Sequence, residues 1–248
     1  MRNPNDRQVF LAGAAGAIGR RLVPLLLQRG WQVVGTTRSS DKARALADAG
    51  VQPVVVDVFD AQALERAVAH AQPAVVLHQL TDLPAGLDPS RMDEGIARNA
   101  RMRSEGTANL VAAALAARVP RMVAQSIAWA YAPQTRALRE QDPLDLTAAG
   151  SRAITVRGVS ELERRVLGSP PLAGIVLRYG RLYGPGTGAD SASAPSLHVD
   201  AAAWAAVLAM ERGEPGIYNI ADPGPQLDTS KARTQLDWSA DWRPKSAS

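Results

Sequence analysis

The chain has 248 residues, 46% of them hydrophobic but only 4% aromatic, which suits one ordinary globular chain with a core drawn mainly from Ala, Val and Leu. It carries no cysteine, so a disulfide framework, a thiolate metal site and a cysteine nucleophile are excluded. The net charge of +4 comes from arginines scattered among acids, not from a basic run with interleaved aromatics, and the three histidines lack metal-ligand spacing.

The opening MRNPNDRQVF lacks the apolar core of a signal peptide, and no later run approaches eighteen uncharged apolar residues; a cytoplasmic protein with no nucleic-acid or membrane partner is expected. The first apolar, β-branched run, RQVFLAG, precedes a stretch in which Leu22, Leu25, Leu26 and Arg29 keep helical spacing until Gly30 stops it. WQVVGTT follows, then a helix that Ser40 can cap, running through Gly50. VQPVVVDV comes next, and Asp60 can cap a helix reaching Ala71 before Pro73. After AVVLHQL, residues Pro89 to Arg118 read as one long helix, with Met92, Ile96, Ala100, Leu110, Val111 and Leu115 near one side. RMVAQS, GIVLRYG and GIYNIA complete the strand-like runs, whereas the chain from Pro185 onward is richer in Gly, Pro and Ser and reads as loops over one edge. Strands alternating with helices imply an α/β, Rossmann-like fold, a doubly wound parallel sheet covered on both faces. One domain over residues 1–248 is expected, with 179–248 contributing a small, reduced substrate-binding part.

Gly13, Gly16 and Gly19 lie between the first strand and the first helix, spaced G-x-x-G-x-x-G. This is where a dinucleotide-binding sheet sets its diphosphate against free N–H groups, here those of the Gly16, Ala17 and Ile18 stretch, and a helix dipole. A Cβ at Gly13 or Gly16 would keep phosphates away, and Gly19 would let helix and strand approach closely. At the end of the second strand, GTTRSS puts Arg38 where an NAD site usually carries an acid. An arginine there can accept a 2′-phosphate, so NADP(H) is expected as cofactor, with NAD open and a solvated loop arginine as the bland alternative.

Together the glycine turn, VVVDVFD, EGTANLVAAA, VAQS, LRYGRLYGPG and HVD resemble the extended branch of the short-chain dehydrogenase/reductase superfamily, the NAD-dependent epimerase/dehydratase type. The resemblance covers nearly the whole chain. It implies that Asp57, beside Val58, reads the adenine, that Leu80 and Thr81 line the cofactor, that Ser126 is the active-site hydroxyl, and that Arg181 to Pro185 border nicotinamide and substrate. Such proteins work through Tyr-x-x-x-Lys, whose lysine lowers the tyrosine pKa and holds the nicotinamide ribose. Alignment through Glu163 puts Thr155 and Val159 at those positions, and none of the three lysines, Lys42, Lys231 and Lys245, follows a tyrosine by four.

A substitute acid must come within about 2.6–3.2 Å of the atom it serves. Tyr131 could swing beside a substrate and Tyr183 sits where the substrate loop begins, although either ring could simply pack with its hydroxyl on a backbone partner. His198 titrates in a useful range but reads as a helix-entry residue where Asp200 can cap; Arg157 cannot act as a base; His70 and His78 look structural. No G-x-S-x-G elbow surrounds Ser126 or Ser160, and no phosphate-binding G-x-x-x-x-G-K-[ST] occurs. Only Ala189 to Leu197 separate Gly188 from His198, so a reduced lid and a small or medium substrate are expected.

Two functions follow. One is an atypical NAD(P)-dependent oxidoreductase or epimerase for a small carbonyl or hydroxyl compound, with Ser126 polarising the oxygen and Tyr131 or Tyr183 assisting. The other is a catalytically inactive NADP(H)-binding sensor or scaffold. By resemblance, a homodimer would pack the Pro89–Arg118 helix and the one at about Ser151–Leu167.

Overall fold

A computed structural model describes residues 7–244; Lys245 lies outside them. Seven strands run parallel in one sheet: β1 (Gln8–Ala12), β2 (Gln32–Thr37), β3 (Gln52–Val55), β4 (Val75–His78), β5 (Arg121–Ile127), β6 (Ala173–Tyr179) and β9 (Gly216–Ile220). Their order is β3-β2-β1-β4-β5-β6-β9. All seven coincide with the strand-like runs of the sequence. Strand order reverses between β1 and β4, which opens a crevice at the carboxyl edge of a doubly wound sheet.

Side-chain alternation in the strands separates the two layers of core. Val9, Leu11, Val75, Leu77, Val123 and Leu177 face the helices α1 (Ala17–Gln28) and α7 (Val199–Arg212). Phe10, Ala12, Val76, Met122, Ala124 and Val176 face α3 (Ala61–Ala71), α5 (Thr107–Ala116) and α6 (Gly150–Leu167). Each fully buried Leu or Val side chain contributes about 1.5–3 kcal/mol by leaving water.

Helix boundaries follow local chemistry. Gly30, at φ +76°, ends the α1 turn, and the Asp60 side chain accepts from Ala63 N at 2.9 Å to start α3. The cap of α2 (Ser40–Asp48) is Ser39, one residue earlier than the sequence suggests, because Ser39 holds the extended backbone a cap requires. The expected long helix is broken: a 3₁₀ turn at Pro89–Arg91 leads into α4 (Met92–Arg101), and a π turn at Met102–Gly106 joins it to α5. Within the π turn Ser104 Oγ donates back to Ala100 O at 3.0 Å.

The chain after Pro185 is not only loops. Short parallel strands β7 (Arg181–Tyr183) and β8 (Ser196–His198) pair beyond the sheet edge, α7 is buried almost all round, and β9 closes the sheet. Its alanines let α7 lie close against α1, which a reading of polar turn residues alone overlooks. The last helix, α8 (Ser230–Leu236), packs on α7 and β9.

Candidate active site

Two cavities lie along the carboxyl edge of the sheet. The first, about 190 Å³, sits at the ends of β1, β2, β3 and β4 and is lined by Gly13, Gly16, Thr36, Thr37, Arg38, Ser39, Lys42, Val56, Val58, Leu80, Thr81 and Met102, among others. The α1 N-terminus that opens beside it has Gly16 as its N-cap, with no side-chain cap and no acid in the first turn. Its leading N–H groups therefore keep their positive end of the dipole for an anion.

The three glycines serve different ends. A Cβ on Gly16 would touch only Gly13 O, at 3.3 Å, so its bare face opens to the cavity mouth. A Cβ on Gly19 would stand 2.2 Å from Gly13 O, so close packing fixes that glycine. Gly13 differs from expectation: at φ +94°, with a Cβ that would stand 2.7 Å from Gln79 O, it is required by the chain itself before any phosphate arrives. Gly13 N donates to Thr36 Oγ1 at 3.3 Å, tying the turn to β2.

Around the rim, Arg38 is exposed and reaches Asp82 Oδ1 at 3.5 Å, while the Ser39 and Lys42 side chains complete a cationic and hydroxyl-bearing corner with no carboxylate among the lining residues. Asp57 is exposed between the lining residues Val56 and Val58, and its Oδ1 accepts from Phe59 N at 3.0 Å. Ala17 and Ile18 lie in the first turn of α1, with the Ile18 side chain in the core.

Next to this cavity, the ends of β5 and β6 hold a closed polar network. Ser126 Oγ donates to Glu163 Oε1 at 2.8 Å, and Arg178 grips the same carboxylate through Nε and Nη2 at 2.9 and 2.6 Å. All three side chains are buried. Because the Ser126 proton is given to a carboxylate, the hydroxyl is not free to polarise a substrate oxygen.

Tyr131 also departs from expectation. Its hydroxyl donates to Asn219 Oδ1 at 2.6 Å, its ring lies under the Arg178 guanidinium, and burial pushes its pKa up to about 12. Its hydroxyl is held inside the network, on Asn219. Thr155 and Val159, the positions aligned with the Tyr-x-x-x-Lys pair, are both buried on α6. Tyr179 donates to Ala202 O at 3.2 Å and Tyr218 to Glu214 O at 3.1 Å. Tyr183 is half-buried at the rim, edge-on to His198, and burial together with Asp222 raises its pKa.

His198, not Asp200, caps α7: its Nδ1 accepts from Asp200 N at 3.2 Å, while Asp200 pairs with Arg21 at 3.0 Å. His78 is fully buried, with Leu80 N donating to Nδ1 at 3.3 Å and Nε2 on Thr107 Oγ1 at 2.9 Å; burial and the Arg103 charge pull its pKa down to about 4.

The second cavity, about 340 Å³, lies beyond β5, β6 and β9. Trp129, Tyr131, Leu138 and the prolines 133, 195 and 225 give it apolar walls. Arg181 lines neither cavity, although it lies beside Trp129 of the second. Its guanidinium is 5.3 Å from the Trp129 ring centroid, its Nη1 donates to Ala194 O at 3.1 Å, and it makes no ion pair among the described residues.

The NAD(P)H-binding family pattern matches residues 13–163, from the first glycine of the turn to the glutamate of the network. A 3-diazoavenalumate denitrifying reductase from a Streptomyces species is 44% identical over 240 residues, covering 88% of this chain and 77% of the relative. The chain belongs to the NAD(P)H-binding family. Its fold is that of the extended short-chain dehydrogenase/reductases: UDP-glucose 4-epimerase of Thermotoga maritima aligns with TM-score 0.75 at 18% identity over 94% of both chains. The NAD complex of the Thermus thermophilus UDP-glucose 4-epimerase aligns with TM-score 0.70 at 22% identity, over 96% of this chain and 86% of that one.

In this NAD(P)H-binding chain, Gly13, Gly16, Arg38, Val58, Leu80 and Thr81 come together around one cavity, while Asp57 and Arg181 are not among its lining residues. Sequence reasoning passed over Thr36, Thr37, Ser39, Lys42 and Met102. The polar cluster TTRSSDK signals the first four, since it follows a strand and opens a helix; nothing in the sequence singles out Met102.

Proposed function

We propose that this chain is an NADP(H)-dependent reductase that serves a small, electron-poor acid anion whose reduction requires no proton from the protein. The observation that carries the reading is the fate of the tyrosines: Tyr131, Tyr179 and Tyr218 spend their hydroxyls inside the protein, and Tyr183 has no lysine partner. Lys42 belongs to the cofactor cavity, and Lys231 donates to Ile217 O at 2.7 Å. Reduction of a carbonyl needs a proton as well as a hydride, and this site offers no tuned acid for it.

The name of the 44%-identical relative points to a different acceptor, an acid anion bearing a diazo group. NADPH, when bound, would supply hydride, and where the acceptor is present as an aryl diazonium its transfer to carbon, Ar–N₂⁺ + H⁻ → Ar–H + N₂, would balance without an added proton. The residues of the chain then have three tasks. The α1 N-terminus, with Gly16, receives the diphosphate. Arg38, Ser39 and Lys42 receive the 2′-phosphate. Trp129 and the prolines wall the acceptor against water, and Arg181, without a carboxylate partner among the described residues, takes its acid group at the rim. A cofactor-binding chain without turnover is the second reading, favoured by the same missing tyrosine–lysine pair.

The test is reduction of aryl diazonium carboxylates with 4-deuterated NADPH, and in parallel with ordinary NADPH in D₂O. One N₂ per NADPH is expected, with deuterium in the product carbon from the cofactor and none from the solvent. Deuterium arriving at that carbon from D₂O overturns the hydride assignment, and tight NADPH binding with no consumption of any acceptor establishes the sensor reading instead.

A further inference from the structure

Arg103 is the one buried guanidinium that the network leaves over. It stands on the π turn between α4 and α5, beside Met102, which lines the cofactor cavity. The residue is 8% exposed, and among the described residues its side chain makes no hydrogen bond and no ion pair. The carboxylate nearest in electrostatic effect, Glu163, already accepts from Arg178 twice and from Ser126. His78, on the other side, is neutral at pH 7. Arg178 and Ser126 occupy the Glu163 carboxylate, and Arg103 is left without an ion-pair partner among the described residues.

Burial pulls the Arg103 pKa down to about 10, which still leaves it charged at neutral pH. An ion held this way is costly unless something arrives to accept its hydrogen bonds. Position identifies what arrives. Thr155, Val159 and Glu163 are spaced four apart on α6 and share one face, the face where the pattern of related proteins would carry tyrosine and lysine. The π turn packs against that helix, and an extra residue in a helical turn is a recurrent way of re-aiming a side chain at a working site.

We propose that Arg103 is a cofactor-binding residue: arriving from α4–α5, it donates to the nicotinamide ribose hydroxyls in place of the missing lysine. The proposal rests on the NAD(P)H reading of the first cavity, and the experiment separates the two. ADP has the adenosine and the diphosphate but no nicotinamide ribose. Binding of NADPH and ADP is measured by calorimetry for the wild type, Arg103→Gln and Arg103→Lys, with the thermal midpoint of each ligand-free protein.

Arg103→Gln is expected to weaken NADPH about 10- to 100-fold, the range for hydrogen bonds to a charged donor, and to change ADP less than about twofold. Arg103→Lys recovers part of the loss. Ligand-free Arg103→Gln is expected to melt no lower than wild type, because an uncompensated buried charge has gone. Unchanged NADPH affinity, equal loss of NADPH and ADP, or a ligand-free midpoint lowered by several degrees each overturns the assignment. Failure of NADPH to bind the wild type overturns the cofactor reading itself.

Discussion

The two ends of the carboxyl edge are built from different materials. At β1 to β4 the site is mostly backbone: a turn of glycines, an uncapped helix and a rim of exposed polar side chains. At β5, β6 and β9 it is side chain on side chain, with Ser126, Glu163, Arg178, Tyr131 and Asn219 closed on one another in the interior. A backbone site tolerates change around it, because the N–H groups of a helix turn stay in place whatever residues follow. A side-chain network is rewired as a unit, since a member left alone is a buried charge or an orphaned dipole.

Glu163→Gln probes this contrast hardest. It removes the only carboxylate bound to Arg178 among the described residues, and a loss of about 3–5 kcal/mol in a urea titration is expected. A loss below about 1 kcal/mol would mean that the network is solvated and the contrast with the glycine end is false.

Acid acts next. His78 has a folded pKa of about 4 against 6.5 as a free side chain, so between these values the unfolded chain binds more protons than the folded one. Its contribution is complete above pH 6.5 and falls away toward pH 4, by about 3 kcal/mol at 1.36 kcal/mol per unit. His78→Gln should flatten that part of the stability profile, and an unchanged slope would remove His78 as its source.

Arg38→Ala belongs to the other end. It should weaken NADPH about 10- to 100-fold and NADH by less than about threefold, with the fold intact, as read from tryptophan fluorescence. Equal loss of both cofactors would take Arg38 away from the 2′-phosphate. Tyr131→Phe is expected to cost about 1–2 kcal/mol of stability by orphaning Asn219 Oδ1 while leaving turnover per folded molecule unchanged. Abolished turnover would return Tyr131 to the chemistry. Tyr183→Phe should have the smallest effect, less than about twofold on kcat, and a flat pH–rate profile from about pH 6 to 9 belongs with it.

Much of the frame is legible in the sequence because local rules decide it. Asp60 and Ala71 bound α3 as their capping and spacing require, and all seven strand runs pair in the sheet. The same rules fall one residue short at α2, where two adjacent serines could cap and only the backbone chooses. The first cavity is readable for the same local reason, a strand, a glycine turn and a helix in succession.

The reaction end is not readable in this way. The partner of the Tyr131 hydroxyl lies 88 residues along the chain, and Ser126 meets Glu163 across 37. Arg103, within RMRSEG, has the look of a solvated helix face, and the π turn carries it inward. The alanines of α7 read as bland filler, yet they let that helix become part of the core.

The Arg38–Asp82 contact bridges the loops after β2 and β4 across the rim of the first cavity. Asp82 also faces Arg98 Nε at 3.9 Å, so it has a second cation to turn to when Arg38 leaves it. An incoming phosphate would thus swap partners with an acid that serves as its internal mimic, and the exchange would nearly conserve charge at the doorway. Ionic strength would then loosen the latch and the guest together, leaving the apparent affinity less sensitive to salt than the exposed arginine alone suggests.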